Sequence, residues 1–123
     1  MLSLTVLAFT IVVVLGATLA ISILRRPSAK PPAAVAWLHG IAALSSYALL
    51  IVALISGPAR GVATGTQSFG LDAAVLLLLA AVIGVGSLAL HLKRKRMPGA
   101  VIGIHASVAI FGYVVLAVYL LAG

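Results

Sequence analysis

Apolar residues in this chain do not alternate or recur in stripes. They run on for twenty positions or more, broken by short polar connections. Crossing the hydrocarbon of a bilayer takes about 20 apolar residues in a helix, at about 1.5 Å each. Four runs meet that length: Leu2 to Leu24, Ala33 to Ser56, about Ala73 to Leu92, and Gly99 to about Ala122. Helices are the expected conformation, because lipid offers no hydrogen bonds to an open backbone. The pattern predicts an all-α, integral membrane four-helix bundle forming a single transmembrane domain over residues 1–123. For the first run the competing reading is a cleaved secretory signal. Its uncharged start, Met1-Leu2-Ser3-Leu4, and the basic pair that follows it favour a retained helix.

Composition supports the same class. Of 123 residues 64% are hydrophobic, and eight Lys or Arg stand against one acid, too few charges to cover a water-facing surface. The formal charge of +7 is confined to short connections. Three basic residues (Arg25, Arg26, Lys30) lie in the first connection and four (Lys93, Arg94, Lys95, Arg96) in the third. The second holds only Arg60. The bias of Lys and Arg toward cytoplasmic loops places the first and third connections inside and both termini outside, in the periplasm if the membrane is the bacterial inner membrane. No aromatic or groove-reading element accompanies the basic loops, so nucleic acid is not an expected partner. They read as topology signals that also suit anionic lipid headgroups.

The second and fourth runs match at an offset of 66 residues. Trp37-Leu38-His39 lies over Gly103-Ile104-His105, Pro32 over Pro98, Ala43 over Ala109, Tyr47 over Tyr113 and Leu54 over Leu120. The first and third runs match only loosely. The reading is two tandem helical hairpins in the same orientation, with each proline near a helix start, where its missing N–H is harmless.

Little chemistry is available. There is no cysteine, and Asp72, the one acid, sits at a boundary. A hydrolytic triad cannot be assembled, and a proton-coupled exporter would want a buried carboxylate. His39, His91 and His105 remain, and an ionisable residue inside a membrane is a functional candidate. His39 and His105 each lie seven residues past their proline, about 10 Å inside the cytoplasmic edge. Two imidazoles at one depth on two parallel helices suit the two axial positions of a haem, and bundle cores house such cofactors. Small residues share the histidine faces: Ala43 and Ser46 after His39, Ala109 and Gly112 after His105, with Gly84 and Ser87 before His91. Close helix packing is the competing account of these small residues, and an interhelical hydrogen bond that of the histidines. His91 is expected near the interface, bonding a haem propionate together with Arg25, Arg26, Lys93 or Arg94. An alternative pairing joins His91 to His39 or His105 as ligands. Tyr47 and Tyr113 point about 80° off the histidine faces and read as packing residues with one hydrogen bond each. Trp37 reads as an interfacial anchor.

Leu38-His39-Gly40 and Ile104-His105-Ala106, within this architecture, resemble the small four-helix membrane cytochromes b. The resemblance implies one haem b carried by His39 and His105 as metal ligands, in an electron carrier rather than a stand-alone enzyme. Many members hold a second haem near the other face, but the outer half of this chain has no histidine. A quinone or another redox protein is the implied partner. The competing function is a non-catalytic accessory subunit of a larger respiratory or photosynthetic complex. Its histidines would then pack or ligate the magnesium of a chlorophyll-type pigment. A larger complex and a homodimer are both candidate assemblies.

Overall fold

The computed structural model describes residues 1–26, 32–93 and 98–122, and gives only the backbone of His91 and Leu92. Four helices carry the described residues, which include no strand: α1 Leu2–Arg25, α2 Ala33–Ser56, α3 Phe69–Leu92 and α4 Gly99–Leu121. All four are long and apolar enough to cross a membrane. A 24-residue helix is about 36 Å long, more than the roughly 30 Å of hydrocarbon. Large apolar side chains face outward along every helix, among them Leu7, Ile41, Val82 and Phe111. Such a surface suits contact with lipid rather than water.

Pro32 and Pro98 occupy the N-caps of α2 and α4, as their spacing predicts. The third helix departs from expectation. It begins at Phe69, not Ala73. The Phe69 N–H donates to the Thr66 carbonyl at 3.0 Å and the Asp72 N–H to the Ser68 carbonyl at 2.9 Å. Asp72 thus falls in the first turn, where a carboxylate offsets the positive end of the helix dipole. The charge that ends the apolar run therefore stabilises the helix start. The connection before it turns at Gly61, whose φ of 72° favours glycine. Here the Thr66 N–H donates to the Gly61 carbonyl at 2.8 Å.

The helices pack as a square. Each of α1 and α3 lies against both α2 and α4, and among the described residues the backbones of the diagonal pairs do not approach each other. Thr5, Thr10, Thr18, Ser22, Ser46, Ser56 and Ser87 all donate to the carbonyl four residues earlier. This hides each hydroxyl within its own helix. Among the described residues no buried side-chain polar atom lacks a partner.

Burial is unequal along the bundle. Near the 57–68 connection the core is tight. Thr5 and Phe9 of α1, Ser46, Leu50 and Ala53 of α2, Ala73 and Leu77 of α3, and Leu116 and Tyr119 of α4 are all buried. At the other end, beyond Val12, Ala80 and Gly112 and before Ser46, Ile102 is the one described residue that is buried. His39 and His105 stand in this less buried half.

Candidate functional site

The two histidines are held in the same way. The Nδ1–H of His39 donates to the Val12 carbonyl of α1 at 3.0 Å. The Nδ1–H of His105 donates to the Ala80 carbonyl of α3 at 2.9 Å. A carbonyl can only accept, so Nδ1 carries the proton in both rings. In the neutral imidazole Nε2 then keeps the lone pair. Val12 and Ala80 lie mid-helix, and each carbonyl also serves its own helix ladder. The imidazole takes the second lone pair.

Each accepting carbonyl is followed, four residues on, by a glycine against the same ring. A Cβ on Gly16 would stand 2.9 Å from Cε1 of His39, and one on Gly84 would stand 3.1 Å from Cε1 of His105. Carbon atoms in comfortable contact are about 3.5–4.0 Å apart, so no other residue fits without moving the ring. The two rings meet across the bundle from diagonal helices, with centroids 6.2 Å apart and planes at 80°.

These contacts extend the repeat. The offset of 68 residues carries Val12 onto Ala80 and Val14-Leu15-Gly16 onto Val82-Ile83-Gly84. It also pairs buried Thr5 with Ala73, and buried Phe9 with Leu77. The offset of 66 pairs Leu50 with Leu116, both wholly buried. Equivalent positions at the two offsets thus make equivalent contacts to the two imidazoles. One bond breaks the repeat. Thr10 Oγ1 gives its proton to the Val6 carbonyl, so the Tyr113 hydroxyl donates to Thr10 Oγ1 at 2.8 Å. The corresponding pair, Tyr47 and Leu78, lacks the second hydroxyl.

The remaining sequence-predicted residues fall in different places. Gly84, expected to leave space near His91, lies against His105. Ser46 and Gly112 are buried in the middle of the bundle. A Cβ on Gly112 would meet Leu76 Cβ at 3.0 Å and Leu77 Cγ at 3.1 Å, so this glycine serves close packing of α4 on α3. Ala43 and Ala109 are half-buried. Arg25 and Arg26 are exposed at the histidine end. The side chain of His91 and all of Arg94 lie outside the described residues. Trp37 is exposed one turn from the start of α2, a position that suits an interfacial anchor. Sequence reasoning missed Val12, Ala80 and Gly16. The offset-68 match between α1 and α3 is the signal that would have found them.

Among the described residues no three His, Asp or Glu side chains come together. A cavity of about 210 Å³ opens at the far end, lined by Leu2, Ala53, Ser56, Arg60 and Tyr119 among others, away from the imidazoles. Comparison of the chain with family models, with curated proteins and with solved structures finds no match.

Proposed function

We propose that this chain is a membrane b-type cytochrome in which His39 and His105 would together hold one haem through their Nε2 atoms. The observation that carries the proposal is the mirrored pair of imidazoles, each tethered through Nδ1 with Nε2 left free, at a centroid separation of 6.2 Å. Two imidazoles that share one metal ion through opposite nitrogens have centroids about 6 Å apart, given metal–nitrogen bonds of about 2 Å. A second-shell bond from the other ring nitrogen is the usual device for fixing a ligating histidine. Two protein nitrogens underfill a bare ion, whereas a porphyrin supplies the other four donors. The histidine half is also less buried than the core beyond it.

A haem held there supplies a one-electron couple between ferric and ferrous iron. The chain's own residues do the rest. The Val12 and Ala80 carbonyls hold both rings in the tautomer that leaves Nε2 free to ligate. Leu50, Leu116, Phe9 and Leu77 close the far side of the site with apolar packing. Arg25 and Lys93, nine residues beyond Gly16 and Gly84 respectively, stand about 14 Å further along the bundle. With Arg26, Arg94 and His91 they are the candidates for pairing with haem carboxylates.

In this reading the two helical hairpins sit in the bacterial inner membrane with the basic connections and the haem toward the cytoplasm. Electron exchange is one-sided, with a quinone or a redox protein as partner. Purified protein should show a reduced-minus-oxidised difference spectrum of low-spin haem b. His39→Ala or His105→Ala should each abolish the low-spin form. A wild-type protein that stays colourless in excess haem overturns the proposal.

A further inference from the structure

Two glycines and two backbone carbonyls decide how the imidazoles are turned, and this has a consequence for the electronic state of a bound iron. We infer that Gly16 and Gly84 are positioning residues that hold the imidazole planes of His39 and His105 nearly at right angles. The inference rests on the haem reading above for its electronic consequence, but not for the geometry.

Each ring is caught between two constraints from one neighbouring helix. On α1 the Val12 carbonyl binds Nδ1 of His39 at 3.0 Å, and the bare Cα of Gly16 lies one turn on, beside Cε1. On α3 the Ala80 carbonyl and Gly84 do the same for His105. The imidazole can reach a carbonyl already engaged in its helix only because the residue one turn later has no side chain. A methyl at Gly16 would sit 2.9 Å from Cε1 and 3.4 Å from Nδ1 of His39, so the ring must shift from its present orientation. The contact at Gly84 is slightly wider, 3.1 Å from Cε1 and 3.6 Å from Nδ1 of His105. The result of both constraints is an interplanar angle of 80°.

That angle is readable. Axial imidazoles donate π density along the normals of their planes. Crossed planes act equally on the two iron d orbitals involved and leave them nearly degenerate. Parallel planes act on one and split them. Ferric iron between crossed imidazoles gives a low-spin signal with one very large g value, and parallel imidazoles give an evenly spread rhombic signal.

The chain carries its own controls. A Cβ on Gly40, next to His39, or on Gly103, two residues before His105, meets nothing within 4 Å. Gly→Ala at either site makes the same helix-favouring change without touching a ring. Electron paramagnetic resonance of the haem-loaded ferric protein should show the large-g signal in wild type, G40A and G103A. G16A and G84A should keep one haem per chain and shift toward the rhombic signal, G16A further than G84A. A rhombic wild-type signal, or glycine variants at 16 and 84 identical to wild type, overturns the inference.

Ligand-free protein labelled with ¹⁵N-histidine separates this from the haem reading and covers a variant that loses haem. Wild type should show both rings as Nδ1–H tautomers. G16A should perturb the His39 resonances more than those of His105, and G84A those of His105 more than those of His39. If wild type binds no haem but these ring effects hold, the positioning role survives and the cytochrome reading falls. If neither variant perturbs its own histidine, the positioning role falls whatever the haem does.

Discussion

Haem binding should stiffen one half of this bundle and leave the other as it was. The perturbation is loading of the ligand-free protein with haem b. The described residues that are buried cluster from the 57–68 connection to the level of Val12, Ser46, Ala80 and Gly112, so that half is held by side-chain packing alone. In the other half, residues 13–25, 33–45, 81–90 and 99–111 include only Ile102 as a buried residue. A ligand at 100 times its dissociation constant stabilises the state that binds it by about 2.7 kcal/mol. At about 1.4 kcal/mol per factor of ten, local openings that break the site should become about 100-fold rarer. Amide hydrogen exchange read by mass spectrometry in detergent resolves these segments. Exchange should slow by up to that factor in the four histidine-half segments and change little in 2–10, 47–56, 70–79 and 113–121. Uniform protection along the helices, or protection confined to the already packed half, would refute the reasoning.

Three further outcomes follow from the same geometry. Tyr113→Phe removes the donor to Thr10 while Thr10 keeps its bond to Val6. It should cost about 0.6 kcal/mol, and no more than about 1.7, in a detergent unfolding titration, with haem retained. Leu50→Ala and Leu116→Ala open cavities at two wholly buried, repeat-related positions and should each cost about 2–5 kcal/mol in that titration. Leu44→Ala, on an exposed apolar face, should stay within about 0.5 kcal/mol. Cysteines placed at Ser68 and Lys93, at opposite ends of α3, should label from opposite sides of the membrane, Ser68→Cys from the periplasm. Labelling of both from one side would contradict the spanning arrangement.

The fold was largely legible because lipid-length apolar runs leave few alternatives. Pro32 and Pro98 mark the starts of α2 and α4 to the residue. The start of α3 was misplaced because Asp72 ended an apolar count, although a carboxylate is welcome in a first helical turn. Of the site, the matched depth of His39 and His105 was readable from their equal distance to a proline. What fixes the rings was not. Val12 and Ala80 contribute through backbone carbonyls, and the identity of their side chains carries no trace of that role. Gly16 looks like any small residue in an apolar helix until its alignment with Gly84 at an offset of 68 is seen. Small residues at helical spacing proved ambiguous for the reason the competing reading gave. Gly112 abuts Leu76 and Leu77, whereas Gly84 abuts an imidazole.

The most direct test is near-infrared magnetic circular dichroism of the ferric, haem-loaded protein, because the position of the charge-transfer band reports the axial ligand pair. The account predicts the band of bis-imidazole coordination in wild type at one haem per chain. It also predicts loss of that band in both His39→Ala and His105→Ala. A high-spin or single-histidine spectrum in wild type, or a bis-imidazole band that survives either substitution, would contradict it.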